Sequence, residues 1–256
     1  MRFRLALPLS LLLCTWSHSS SAQTPAQQPV VRVPDGGASG RMESIFIPPK
    51  PNAPFNLVLA TEWSRPLGNG GTFTLANERR IVRDSAGRIY QERWILVPKG
   101  GKAKSWMDIF QITDPAQHTW YNCETAHKVC ELLTYSLSTE NTYKPATFPS
   151  GPLPNGNGFR LHEDLGAGST NGVETHGYRQ TTTINPGVMG NDKPMITTRE
   201  FWYSNQLGVD LLSTVDSPSS GKQVFTVKEL STSEPEASIF AVPEGYSVVD
   251  HSHEKE

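Results

Sequence analysis

Residues 55–63 read FNLVLATEW, a run in which Phe55, Leu57, Leu59 and Trp63 are spaced by Asn56, Ala60 and Glu62. This period of two is typical of a β-strand with one buried face. Residues 209–216 (VDLLSTVD) alternate in the same way. Turn signals rich in Gly, Pro, Asn and Asp separate such runs, and no long helical periodicity lies between them. We therefore predict an all-β protein, an antiparallel meander that forms a curved sheet or half-barrel.

Local signals refine this prediction. Asp84 is suited to open a turn, and Gly87 to supply the positive φ that closes a bulged hairpin. Residues 233–236 (SEPE) resemble a capping box, which predicts one short helix near the C-terminus over residues 237–240. The prolines at positions 48, 49, 51 and 54 predict an extended connector.

The domain organisation is predicted from composition. Residues 23–40 are rich in Pro, Gln, Gly and Ser, which indicates a flexible leader. Residues 41–256 are predicted to form a single β-rich domain, interrupted by a Pro/Gly-rich break at 144–158. Two domains, one on either side of this break, are the alternative.

Residues 1–22 have the pattern of a secretory signal peptide. Arg2 and Arg4 precede an apolar stretch, residues 5–16, that is shorter than the roughly 20 residues a membrane span needs. Cleavage is expected between Ala22 and Gln23; a lipoprotein signal ending at Cys14 is the alternative. No later stretch is long and apolar enough to be an integral membrane segment. The expected location is therefore the periplasm or the extracellular space.

Charge narrows the classes of partner. The whole chain has a formal net charge of −2, and removal of Arg2 and Arg4 with the signal lowers it to −4. A mildly acidic protein without a sustained basic run is not expected to have nucleic acid, or an anionic membrane surface, as its main partner.

The two cysteines that remain after cleavage, Cys123 and Cys130, are interpreted as a disulfide. A hairpin centred between Ala126 and His127 places them opposite each other, within disulfide range. Closing this short loop is worth about 2.5 kcal/mol on the chain-entropy model. A metal site that adds His118 and His127 is the alternative, but the spacing lacks the paired ligands of structural zinc.

Motifs for catalysis or cofactor binding are absent from the sequence. There is no nucleophile elbow, zinc-protease helix or phosphate loop. His162, Glu163 and Asp164 carry titratable groups, but neighbours on a strand point to opposite faces, so only His162 and Asp164 can share one. A solvated strand edge accounts for them. We predict no enzyme activity, no metal and no cofactor.

Large aromatic side chains are the remaining functional signal. Most are expected to fill the core, but Trp63, Trp94 and Trp202 are also candidates for an apolar cavity or groove.

Two resemblances are carried by short motifs. Residues 43–49 (ESIFIPP), 87–93 (GRIYQER), 163–166 (EDLG) and 190–194 (GNDKP), with the C-terminal third, resemble exported bacterial proteins of unknown function. The closing strands, residues 200–212, 221–227 and 239–246, more distantly resemble the LolA/LolB/RseB-like group of periplasmic proteins. This resemblance implies a curved sheet and a binding role, and it transfers no ligand-contact residue.

Three functions follow as hypotheses. The first is an extracytoplasmic, non-enzymatic binding protein that holds a lipid or other apolar small molecule on a curved β-sheet. The second is a structural or protein-interaction component of the cell envelope, with an envelope protein as its partner. The third is a hydrolase whose residues assemble from distant strands.

Overall fold

A computed structural model describes residues 45–136 and 149–253. The signal peptide (1–22), its cleavage site at Ala22 and Gln23, and the leader (23–40) lie outside the described residues. The elements are two 3₁₀ turns, Pro154–Gly156 and Ala237–Phe240, and the strands β1 (Phe55–Pro66), β2 (Thr72–Arg83), β3 (Ile89–Trp94), β4 (Val97–Pro98), β5 (Met107–Asp114), β6 (Thr119–Glu124), β7 (Val129–Thr134), β8 (Gly151–Pro152), β9 (Gly158–Thr170), β10 (Val173–Ile184), β11 (Met195–Ser204), β12 (Val209–Ser217), β13 (Gly221–Ser231) and β14 (Ser247–Asp250).

All fourteen strands belong to one sheet built from two meanders. Strands β1, β2, β3, β5, β6 and β7 neighbour one another in that order, and β8 to β13 do the same. Antiparallel pairing of β1 with β13 joins the two meanders across the Pro/Gly-rich break. β14 pairs parallel with β7, and β4 adds to β2. Over the described residues the sheet is open, with β14 and β8 at its edges, which confirms the predicted all-β, mainly antiparallel fold.

The two faces of the sheet carry separate cores. Face A is the side on which Phe55, Leu57 and Leu59 project, and face B is the opposite side. Because residues directly opposite each other in the register project to the same side, Ile81 lies on face A and Val82 on face B. On face A, Phe55, Leu57 and Leu59 of β1 are fully buried, as the period of two predicted.

The core on face A is fastened by a buried arginine. Arg83 donates from Nε and Nη2 to Ala53 O (3.0 and 2.8 Å), from Nη1 to Pro48 O (2.8 Å), and from Nη2 to Leu207 O. Its guanidinium also lies 4.6 Å from the centre of the Phe55 ring. Burial lowers the pKa of Arg83 to about 10, so it stays charged at neutral pH. Arg83 thus ties the connector before β1 and the β11–β12 turn to β2.

The core on face B is covered by the chain between the last two long strands. We call residues 232–246 the strap, because they leave β13 beside β1 and reach β7, where β14 begins. Phe240 packs with Val82, Phe110 and Ile112. The Phe110 and Tyr246 rings meet edge to face, with their centres 5.3 Å apart. The strap therefore packs against face B and covers its core.

The β6–β7 hairpin has the predicted register. Cys123 lies directly opposite Cys130, and the two sulfurs form a disulfide on face B within the strap-covered core. A covalent bond between these sulfurs removes the thiolates that the alternative metal site needs. Among the described residues no group of three or more His, Cys, Asp or Glu side chains could hold a metal ion.

The predicted turn is confirmed and the predicted capping box is wrong. Gly87 has φ +87°, and its N–H donates to Asp84 O (3.1 Å), as the bulged turn requires. At residues 237–240 the short helix is present as a single 3₁₀ turn, which Glu236 precedes without a side-chain cap. The carboxylate of Glu234 instead accepts from Ser85 N–H (3.2 Å), because the strap lies against the β2–β3 turn.

Candidate functional site

The candidate site is a cleft between the strap and face B of the sheet. It has two lobes that share three lining residues: Arg80 on β2, and Ser238 and Ile239 on the strap. The lobes measure about 480 and 530 Å³, each within the size range of small-molecule sites. The cleft exists because the strap crosses β1, β2 and β3 as irregular chain, so its side chains meet the sheet only at intervals.

One lobe is polar. Arg80 stands at its inner end, where Nε donates to Asn56 Oδ1 (2.9 Å). Neither Nη group of Arg80 has a protein acceptor within 45–136 and 149–253. Hydroxyl and carboxyl groups come from five of the nine lining residues. The full lining is Asn56, Arg80, Ser231, Ser233, Glu234, Pro235, Glu236, Ser238 and Ile239.

The other lobe is mainly apolar. β3 and β5 provide its floor with Tyr90, Met107 and Phe110, and the strap provides its roof. Methionine and aromatic side chains adapt to ligands of irregular shape, which suits a floor for an apolar chain. The full lining is Arg80, Tyr90, Met107, Phe110, Ser238, Ile239, Ala241, Val242, Pro243, Glu244 and Tyr246.

Glu92 organises the polar margin of the floor. Its carboxylate accepts from the Tyr90 hydroxyl (3.1 Å), the Trp94 indole N–H (2.7 Å) and the backbone N–H of Arg80 (3.0 Å). Burial, and then the charge of Glu92, raise the pKa of Tyr90. The phenol therefore stays protonated and donates to Glu92, which leaves its ring to face the cleft.

The three tryptophans predicted to line a cavity do not lie together. Trp63 projects from face A and donates to Ser220 O (2.6 Å), so it packs beside the core of that face. Trp94 and Trp202 belong to face B, but β2, β1, β13 and β12 lie between their strands. Trp94 is next to the floor of the cleft through Glu92. The structure therefore does not bring these three candidate side chains together.

Trp202 instead fills a slot made by two glycines. A Cβ atom on Gly168 would lie 2.3 Å from Trp202 Cζ3, and one on Gly177 would lie 2.9 Å from Cη2. The indole therefore rests directly on the backbone of β9 and β10. Its N–H donates to Glu200 Oε1 (2.9 Å), and Glu200 pairs with Arg179 (2.9 Å). These contacts describe a packed side chain.

The histidine cluster from the sequence lies on face A of the outer strands. His162 and Asp164 do share a face, as predicted, and β10 adds His176 and Tyr178 beside them. His176 Nε2 lies 2.5 Å from Asp164 Oδ1, and Asp164 is well exposed. The hydrogen bonds from Gly166 N–H and His176 lower the pKa of Asp164. An exposed pair of this kind contributes little to stability and forms no enclosed site.

The residues of the cleft were missed at the level of sequence for a specific reason. The sequence singles out neither Tyr90 nor Phe110, and its local signals assign residues 237–240 only to a short helix. The signal that could have found them is the irregular composition of the strap. Pro235 and Pro243 exclude a regular strand there, while Ile239, Val242 and Tyr246 still need an apolar surface.

Comparison with known proteins gives structural neighbours only. No protein-family model matches the chain, and no curated protein matches its sequence. An uncharacterised conserved protein from Thermus thermophilus is 11% identical, with a TM-score of 0.33 over 77% of this chain and 90% of that one. The MucA/MucB complex of Pseudomonas aeruginosa is 11% identical, with a TM-score of 0.35 over 74% and 56%. The Mycobacterium tuberculosis lipoprotein LppX is 11% identical, with a TM-score of 0.24 over 72% and 90%.

These neighbours are LolA/LolB/RseB-like, the group that the closing strands resemble. Identities and TM-scores this low carry no inference about what the chain binds. Within the described ranges, none of the helical segments has the length and apolar character of a membrane span.

Proposed function

We propose that the protein is an extracytoplasmic binding protein that holds an amphipathic, lipid-like molecule in the cleft beneath the strap. The single observation that carries this proposal is the pairing of an apolar lobe of about 530 Å³ with a polar lobe of about 480 Å³ at Arg80. A molecule with one apolar and one polar end matches this pairing. The Cys123–Cys130 disulfide and the predicted signal peptide support a location outside the cytoplasm.

Arg80 determines which way round the ligand is expected to bind in the cleft. Arg80 lines both lobes, and its Nη groups are available for an acceptor. Guanidinium groups bind carboxylates and phosphates with paired hydrogen bonds. We therefore expect the apolar chain of the ligand between Phe110 and Ile239, and an acceptor-bearing head at Arg80.

The alternative is a protein-interaction role through an exposed strand edge. The outer edge of β9 is the obvious place, but much of it is already occupied. β8 pairs with Phe159 and Arg160, Ser150 Oγ accepts from His162 N–H (2.8 Å), and Asp164 Oδ1 accepts from Gly166 N–H (2.8 Å). Such blocking is how proteins discourage strand addition, so the cleft supports ligand binding better.

The test is titration of the purified protein with cis-parinaric acid, a fluorescent fatty acid, and with the corresponding alcohol. Both probes should bind. Ile239→Ser removes the one apolar side chain that the two lobes share and should weaken the binding of both probes about tenfold or more, from the apolar area lost. Ile196→Ser, which shortens an exposed isoleucine elsewhere on face B, is the matched control and should leave affinity unchanged.

Arg80→Gln separates the two ends of the ligand. Loss of a charge-assisted hydrogen bond should weaken the acid about tenfold, while the alcohol should bind nearly as before. The proposed function would be refuted if wild-type protein bound neither probe. It would also be refuted if Ile239→Ser and Ile196→Ser lost the same amount of affinity. Thermal melts of each variant report whether it is folded.

A further inference from the structure

Exposed apolar side chains are concentrated at one end of the sheet. The turns at this end, which we call the rim, are residues 67–71, 99–106, 125–128, 153–157, 185–194 and 218–220. The register places them at one end of the sheet: Pro66 pairs with Thr72, Leu75 with Pro98, Ile109 with Glu124, Ser217 with Gly221, and Ile184 with both Met195 and Gly158. Seven large apolar side chains are exposed in these turns or within two residues of them: Leu67, Phe73, Trp106, Phe159, Val188, Met189 and Ile196.

The opposite end of the sheet differs. In its described turns, residues 84–88, 115–118, 171–172 and 205–208, no large apolar side chain is exposed. Isolated exposed apolar residues are ordinary on protein surfaces, but a one-sided accumulation marks an interaction surface. This asymmetry indicates that the rim, and not the opposite end of the sheet, contacts an apolar partner.

The rim turns hold their apolar side chains outward by satisfying their own polar groups. In the 185–194 turn, Asn191 accepts from Met189 N–H (3.0 Å) and donates to Asn185 O (3.0 Å) and Lys193 O (2.7 Å). Val188 and Met189 are left at the tip, and Met189 is 69% exposed. In the 67–71 turn, Leu67 N–H donates to Gly71 O (2.8 Å), which leaves the Leu67 side chain exposed in the same way.

The charge of the rim turns indicates what kind of apolar partner the rim contacts. The rim turns contain Lys99, Lys102, Lys104, Lys128 and Lys193 against one acid, Asp192, although the whole chain is acidic. Lys99 pairs with Glu62 of β1 (2.6 Å), which leaves the other four lysines to set the charge of the rim. Apolar tips beside lysines, with Trp106 56% exposed among them, match a bilayer interface, where aromatic and apolar groups enter the acyl boundary and lysines meet anionic headgroups.

We propose that the rim docks the protein on an anionic membrane surface. Turn tips at Leu67, Trp106 and Met189 insert at the headgroup level, and Lys102 and Lys104 pair with lipid phosphates. The sheet then stands on the membrane by its rim. This docking uses none of the residues that line the cleft, so it is a second activity rather than a consequence of ligand binding.

Co-sedimentation of the protein with vesicles tests the proposal. Vesicles of phosphatidylethanolamine and phosphatidylglycerol should bind it, and vesicles of phosphatidylcholine alone should bind it more weakly, because each lysine near an anionic surface contributes about fivefold in affinity. Trp106→Ser with Met189→Ser should lower the partition coefficient about tenfold or more, from the apolar area withdrawn. The control is Val248→Ser with Val249→Ser, two exposed residues of β14 outside the rim, and it should bind like wild type.

Two further readouts make the result decisive. Ile239→Ser, which changes a residue of the cleft and none of the rim, should bind vesicles normally even where it no longer binds parinaric acid. Wild-type protein that stays in solution with both kinds of vesicle would overturn the proposal, as would equal binding of the rim variant and the β14 control. Concentration-dependent self-association that the rim variant abolishes, without vesicle binding, would assign the rim to a second copy of the chain instead.

Discussion

Arg83→Met is expected to destabilise the protein by about 3–5 kcal/mol. The substitution removes four hydrogen bonds and leaves the carbonyls of Ala53, Pro48 and Leu207 buried without a donor. Each orphaned acceptor costs about 1–3 kcal/mol, and the lower cost of burying methionine instead of a guanidinium offsets part of the sum. Urea titration of the purified protein measures the loss directly, and the melting temperature should fall by about 10 °C or more.

Arg65→Met is the matched control, since Arg65 is an exposed arginine whose guanidinium lies 5.6 Å from the Trp63 ring. Its cost should stay below about 1 kcal/mol. A loss of that size for Arg83→Met as well would refute the reasoning, because it would mean that the three carbonyls find other donors or water. The connector before β1 would then be held by its apolar residues alone.

Three further predictions concern stability. Replacing Cys123 and Cys130 with alanine should cost about 2.5 kcal/mol by the loop-entropy argument, as measured by urea titration, with a loss near zero counting against it. Burial raises the pKa of Asp210 to about 7, so the folded protein retains a proton and the free energy of unfolding should fall as the pH rises from about 4 to about 7. Asp210→Asn should abolish that slope and be more stable than wild type at about pH 8; an unchanged slope would contradict the assignment. Gly168→Ala should cost about 1–3 kcal/mol because its Cβ would collide with Trp202, and a double-mutant cycle should show a smaller cost in the background of Trp202→Ala.

Much of the fold could be predicted because its signals are local. The period of two in residues 55–63 requires only that one face of the strand be buried, and β1 has that pattern. The hairpin register that joins Cys123 to Cys130 depends on residues within one turn of each other. The order of the strands is a different matter. The pairing of β1 with β13 joins residues far apart in sequence, and no local pattern encodes it.

The cleft could not be predicted because it is made by long-range contact. Phe110 and Ile239 look like core residues in their own segments, and only the course of the strap brings them to either side of an opening. The position of the cleft could not be predicted from the tryptophans for the same reason. Large aromatics mark buried space, but the alternation of a strand decides the face, and Trp63 projects to the side opposite Trp94 and Trp202.

The charge of the rim also could not be predicted from the sequence as a whole. A net charge of −2 describes the sum over the whole chain, and on that basis an anionic surface is an unfavourable partner. The fold sorts those charges, so that Lys102 and Lys104 lie at the same end as the exposed apolar tips. A partner recognises the local surface, and a sum over the sequence contains no information about it.

The central claim is that an apolar chain lies between the strap and face B. Photolabelling with a diazirine-bearing fatty acid, followed by mass spectrometry of the peptides, tests it most directly. The account predicts that label is found in residues 107–110 and 239–246, and that an excess of unlabelled fatty acid removes it. Label confined to face A residues such as Leu57 and Leu59, or spread evenly over the chain, would contradict it.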